Sequence, residues 1–270
     1  MHEIDPKNLQ QIAPLLERVL IVEPVQASAR LLAELLRNIA PCHVWVAATT
    51  ERALEITKMG DPRLIFTEFT GEGTDGLAFV RALRRSSFAC RKAPVIMITA
   101  QATPTSILGA RDAGVHEFLR KPYTNKDLVR RLEAVALAPR GWVEAVGYVG
   151  PDRRRFNSAE FKGARKRKAD TAPTNPLQAD IEQAIRIVLA AVAAIGSDPN
   201  QAFRALSTQA VELKKAAIAG GNAALASAAG ELQRYLASAG SGEAITQSAM
   251  RPHVERLSAF LPRGSAARAA

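Results

Sequence analysis

The chain has 270 residues, of which 47% are hydrophobic and only 5% aromatic, and it carries a formal charge of +10. That is too long for one ordinary domain of ~150 residues and apolar enough for two packed cores. The longest apolar stretch, 187–195, is too short to span a bilayer, the first residues lack a basic-then-apolar leader, and Cys42 and Cys90 have neither zinc spacing nor a disulfide framework. The expectation is a soluble protein of the reducing cytoplasm.

Residues 1–17 read as an N-terminal extension. Over 18–139, short β-rich apolar runs (19–23, 43–46, 64–67, 94–99, 117–119) alternate with helical patterns at 26–38, 49–59, 76–85, 104–113 and 124–137. Thr50-Glu51 opens one helix and Gly114 closes another. Buried strands alternating with amphipathic helices predict an α/β doubly wound sheet of five parallel strands. Functional side chains of such sheets gather at the carboxyl ends of the strands, here Glu23, Glu68, Thr99 and Lys121.

Residues 140–176 read as a basic linker, with Arg153, Arg154, Arg155, Lys162, Arg165, Lys166, Arg167 and Lys168 among few acids. A self-repelling, solvated spacer accounts for that run. Nucleic acid, an acidic protein surface or anionic lipid are the alternatives.

From 177 to 262 the period is helical throughout, interrupted at Gly196, Gly220-Gly221 and Gly240. Four stripes (Ile181, Ile185, Val188; Leu206, Ala210, Leu213; Leu225, Leu232, Leu236; Met250, Val254, Leu257) predict an all-α bundle of about four helices. Residues 263–270 are left as a tail.

The run Leu64-Ile-Phe-Thr-Glu68-Phe-Thr-Gly-Glu-Gly-Thr-Asp75-Gly76, with Thr99-Ala100 and Lys121-Pro122 in order behind it, resembles the receiver (CheY-like) domain of bacterial response regulators. The resemblance covers 18–139. It implies a flavodoxin-like fold, a role in two-component signalling, and a phosphorylation pocket made of an acidic pair, an acceptor aspartate, a hydroxyl and a lysine. Thr99 and Lys121 match the last two, and Phe118 matches an aromatic that moves with the hydroxyl residue on activation.

Two departures stand out. Glu23-Pro24 replaces the acidic pair, so one metal-binding carboxylate is missing. Glu68 stands where the family has its acceptor aspartate and reaches ~1.5 Å further, into the space of the incoming phosphoryl group. Misplacement on that scale can cost ~100-fold in rate. The residues therefore predict a degenerate receiver, or pseudo-receiver, that acts by phosphorylation-independent protein–protein interaction. In it Glu68 is either an inert partner of Lys121 or a partial stand-in for phosphate that engages Lys121 and Thr99. No cofactor is expected, although Glu23 and Glu68 could bind Mg²⁺ weakly. The alternative is a phosphorylatable regulator whose output is nucleic-acid or partner binding through the linker and bundle.

Val211-Glu-Leu213-Lys214, with Gly221 behind it, resembles the helix motif of histidine phosphotransfer domains, with Val211 at the position of the phosphorylated histidine. A dimerisation or docking bundle is the competing interpretation. The sequence lacks a Ser-His-Asp set, a phosphate-binding Gly-rich loop and a metal cluster, so no enzyme is expected. The expected partners are signalling proteins (a kinase, regulator or effector) or a second copy. They would bind at the helix 104–113, Phe118 and the helix 124–137, or at the bundle; a nucleic-acid partner has weaker support.

Overall fold

The computed structural model describes residues 4–153 and 176–262, which fall into two compact units. Most of the basic run read as a linker lies outside the described residues. Within them, no helix is long and apolar enough to cross a membrane.

The first unit opens with a helix that periodicity had left unassigned. Helix α1 (Pro6–Leu16) is capped by Asp5, whose side chain accepts from Lys7 N at 2.8 Å, and Pro6 suits the first turn. It buries Ile12 and Leu16 completely. The segment read as an extension is thus part of the core of the first unit.

The alternating pattern then appears as predicted: β1 (Arg18–Val22), α2 (Gln26–Arg37), β2 (His43–Ala47), α3 (Thr50–Gly60) and β3 (Leu64–Glu68). A small hairpin, β4 (Thr70–Gly71) and β5 (Thr74–Asp75), leads into α4 (Gly76–Arg85), followed by β6 (Val95–Thr99), α5 (Pro104–Ala113), β7 (Glu117–Arg120) and α6 (Asn125–Leu137). The sheet order is β2-β1-β3-β6-β7, and each neighbouring pair is parallel.

All residues of β3 and β6 are buried, because helices cover both faces. One layer packs α1, α2 and α6 on Val19, Ile21, Phe66 and Ile98; the other packs α3, α4 and α5 on Leu20, Ile65, Met97 and Phe118. Residues 140–153, read as the start of the linker, include two further strands that pair with each other, β8 (Trp142–Glu144) and β9 (Val149–Pro151).

The second unit comprises Glu144–Gly147 and four helices, α7 (Pro176–Ala193), α8 (Pro199–Ala219), α9 (Ala223–Ala239) and α10 (Gln247–Ser258). Helix α8 packs on α7 and α9, and α10 packs on those same two helices. Asp198, Asn222 and Thr246 cap the last three helices through their side chains. The core holds Ile185, Val188, Leu206, Leu213, Leu232 and Leu257. Val254, assigned to the fourth stripe, is only half-buried. Within this unit Glu144 is buried and its carboxylate accepts from Gln201 Nε2 at 3.1 Å.

Candidate functional site

Strand register brings the predicted residues together. Val22 pairs with Thr67, which sets Glu23 and Glu68 side by side one step beyond. Glu68 pairs with Ile98, and Thr99 with Arg120, which places Lys121 just past the end of β7. Lys121 is tied back by its own N–H to Thr99 O at 2.7 Å, and the Lys121–Pro122 peptide is cis.

The Lys121 ammonium lies between the two carboxylates. It donates to Glu23 Oε2 at 2.7 Å and, in a short contact, to Glu68 Oε2. The remaining carboxylate oxygens are also occupied: Glu23 Oε1 accepts from Val25 N at 3.0 Å and Glu68 Oε1 from Phe69 N at 3.1 Å. Both glutamates are nearly enclosed, at 6% and 8% exposure. Burial raises the Glu68 carboxyl above its ordinary range and the Glu23 charge adds to that, against the pull of Lys121. Burial also opposes the Lys121 charge, but the hydrogen bonds to Glu23 and Glu68 outweigh it and its pKa is raised. The arrangement is one cation shared by two buried carboxylates, which leaves one excess negative charge when both are ionised.

Thr99 is buried beside this triad, yet its hydroxyl accepts from Gln101 N at 3.1 Å and makes no bond to Glu68. Of the contacts expected under the two alternatives for Glu68, the one to Lys121 is present and the one to Thr99 is not. Phe118 points into the core between the sheet and α3–α5.

The loops above the carboxylates are packed down. Glu72 and Gly73 form the two-residue turn of the β4–β5 hairpin, with Gly73 at φ 66°. The hairpin is held from the far side by Thr74 Oγ1 donating to Ala48 O at 2.9 Å and Asp75 N donating to Thr50 Oγ1 at 3.0 Å. Pro24 seats directly on it, since a Cβ on Gly71 would stand 2.6 Å from Pro24 Cγ. The residue that replaced the second acid therefore also fills the space next to the acceptor loop. Glu72-Gly73 between two threonines was a legible hairpin signal; its contact with Pro24 was not.

The two carboxylates offer little to a divalent cation: each oxygen of Glu23 and Glu68 already accepts one N–H, so a metal would compete with Lys121 for them. Among the described residues, no group of three His, Cys, Asp or Glu side chains is placed to hold a metal.

A groove of about 330 Å³ lies at the opposite end of the sheet, lined by Pro14, Arg18, Asp61, Arg63 and Cys90 among others. Burial pushes its Cys90 thiol up to about 11, and the thiol donates to Thr57 O, so it presents no reactive sulfur. In the second unit, Val211 lies on the partly exposed side of α8, with Lys214, Lys215 and Ile218 exposed nearby along the helix.

The first unit is similar in sequence to known proteins. The profile of the response regulator receiver domain matches residues 19–133. The chemotaxis protein CheY-3 of Vibrio cholerae is 29% identical over 118 residues, which cover 44% of this chain and 90% of that protein. The KDP operon transcriptional regulatory protein KdpE of Escherichia coli is 34% identical over 114 residues, which cover 42% of this chain and 48% of that one. Among solved structures, a response regulator from Chloroflexus aurantiacus is 27% identical, with a TM-score of 0.41, and the match covers 44% of this chain and 96% of that one.

Proposed function

Because residues 19–133 are a response-regulator receiver domain of two-component signalling, we propose that this receiver works without being phosphorylated, as a protein-binding module joined to a helical bundle. The observation that carries the proposal is the Lys121 bridge. The lysine that would contact an incoming phosphoryl group is already neutralised by Glu23 and Glu68. The longer Glu68 side chain and the Pro24–Gly71 contact occupy the approach. The Thr99 hydroxyl, engaged by Gln101 N and not by Glu68, favours an inert, lysine-bridged pocket over full phosphate mimicry, which would need both contacts. The partners are signalling proteins that recognise the face of α5 and α6, with Phe118 buried beneath it, or the bundle, in a cytoplasmic setting. A second copy is one such partner. In the same proposal the bundle is a docking module in which Val211 takes the place of a phosphotransfer histidine.

The test is to incubate the protein with Mg²⁺ and an acyl-phosphate donor and to follow covalent phosphate by intact mass. The wild type is expected to remain unlabelled, and the double variant Glu68→Asp with Pro24→Asp to gain one phosphoryl group. Labelling of the wild type on Glu68 would overturn the proposal in favour of a phosphorylatable regulator.

A further inference from the structure

We propose that residues 140–153 form a strap that clamps the far ends of α4, α5 and β7, so that the α5–β7 face keeps one arrangement whatever the charge state of the Glu68 pocket. The inference rests on residues at the opposite end of the sheet from that pocket.

Its centre is Arg84, in the last turn of α4 and only 1% exposed. A buried guanidinium ordinarily needs a carboxylate, and none of the Arg84 partners is one. Its Nε donates to Gly114 O at 3.0 Å, Nη1 to Arg91 O at 2.6 Å and Ala93 O at 2.9 Å, and Nη2 to His116 Nδ1 at 3.2 Å. Those acceptors come from three segments: the turn after α4, the end of α5 and the entry to β7. His116 Nδ1 also accepts from Val95 N, so its proton sits on Nε2 and the ring is neutral. Burial, with Arg84 and Arg140 nearby, drives its pKa well down. One side chain thus ties together the starts of β6 and β7 and the ends of α4 and α5.

The strap closes over this knot. The Trp142 indole lies 5.4 Å from the Arg84 guanidinium and covers it with a π face. Arg140 donates to Val115 O at 3.2 Å, to His116 O in a shorter contact, and to Asp152 O at 3.3 Å. Tyr148 is locked by its hydroxyl on Pro151 O at 2.6 Å, Arg153 lies over its ring at 4.5 Å, and Arg153 reaches Asp112 on α5 at 3.1 Å. Gly114 makes the approach feasible: it is left-handed at φ 97°, and a Cβ there would meet Val149 O at 2.9 Å.

The geometry explains the locking. Helix α5 (Pro104–Ala113) starts after the loop that follows Thr99 and ends at Gly114, and β7 (Glu117–Arg120) starts after His116 and ends before Lys121, so each has one end towards the pocket and the other under the strap. A change at the pocket can move these elements only if the strap end yields.

Hydrogen–deuterium exchange of the whole 270-residue chain tests this, read by mass on peptides covering 104–120 and on β1 and β3. Trp142→Ala and Arg140→Gln should each speed exchange in 104–120 about tenfold, the scale of one lost desolvated cation–π or charge-assisted contact, without changing β1 or β3. Trp142→Phe, which keeps a π face, should restore protection. Glu68→Gln should leave 104–120 unchanged with the strap intact and alter it in the Trp142→Ala background. Unchanged protection in both strap variants, or a rise spread equally over β1 and β3, would overturn the proposal. So would a Glu68→Gln response at 104–120 in the otherwise wild-type chain. If Trp142→Ala fails to fold, Arg140→Gln serves as the background for the same comparison.

Discussion

Replacing Lys121 with methionine removes the one cation shared by two buried carboxylates while keeping the length of the side chain. Breaking a buried ion pair by deleting one partner costs about 3–5 kcal/mol. Lys121 is 26% exposed at its side chain, so water recovers part of that cost, even though two pairs are lost at once. The expected loss at neutral pH is about 2–4 kcal/mol. The sign of the pH dependence separates this from a packing defect. The folded-state pKa of Glu68 is already raised by burial, and without Lys121 it rises further. A carboxyl with a raised folded pKa contributes stability that is fully present below its unfolded value of ~4.3 and lost as pH climbs through the folded value. The variant should therefore regain stability on acidification from about pH 7 to pH 5, by up to ~1.4 kcal/mol per pH unit for each proton taken up. Urea titrations across that window, followed by the fluorescence of Trp45 and Trp142, measure it. A deficit below about 0.5 kcal/mol, or one that stays constant with pH, would refute the view that Lys121 holds two buried charges in balance.

Gly76→Ala should destabilise the first unit by more than about 3 kcal/mol, because the new Cβ would stand 2.1 Å from Glu68 O. An unchanged urea midpoint would show that the loop gives way. Leu213→Ala empties part of the fully buried stripe of α8 and should cost about 2–5 kcal/mol, seen as earlier loss of helical circular dichroism. No shift would mean that the stripe is not the core of the bundle.

Much of the receiver was legible because its elements are locally encoded. Runs such as Val95–Thr99 are apolar throughout since both faces of the sheet are covered, and Gly114, read as a helix stop, ends α5 in the left-handed conformation. The candidate residues followed from the rule that strand ends converge. Helix α1 escaped because its apolar residues, Leu9, Ile12 and Leu16, are few and interrupted by Pro14, and only docking on the layer with α2 and α6 makes it a core element. The strap escaped because it leads into the basic run that begins at Arg153 and was read with it as one linker, although Trp142 and Tyr148 are poor residues for a solvated spacer.

By itself, the sequence determined the order of strands and helices, the change to a purely helical second unit, and the presence of Glu68 and Pro24 where the receiver resemblance leads one to expect aspartate and a second acid. Those properties depend on residue type and local period alone. Tertiary structure decided that Lys121 serves Glu23 as well as Glu68, that Thr99 turns to Gln101, that Pro24 seals onto Gly71, and that Arg84 is buried beneath Trp142. Each of these depends on which loops meet in space. A hydrogen bond between residues as distant as Glu23 and Lys121 is set by strand order and register, quantities that no window along the chain contains.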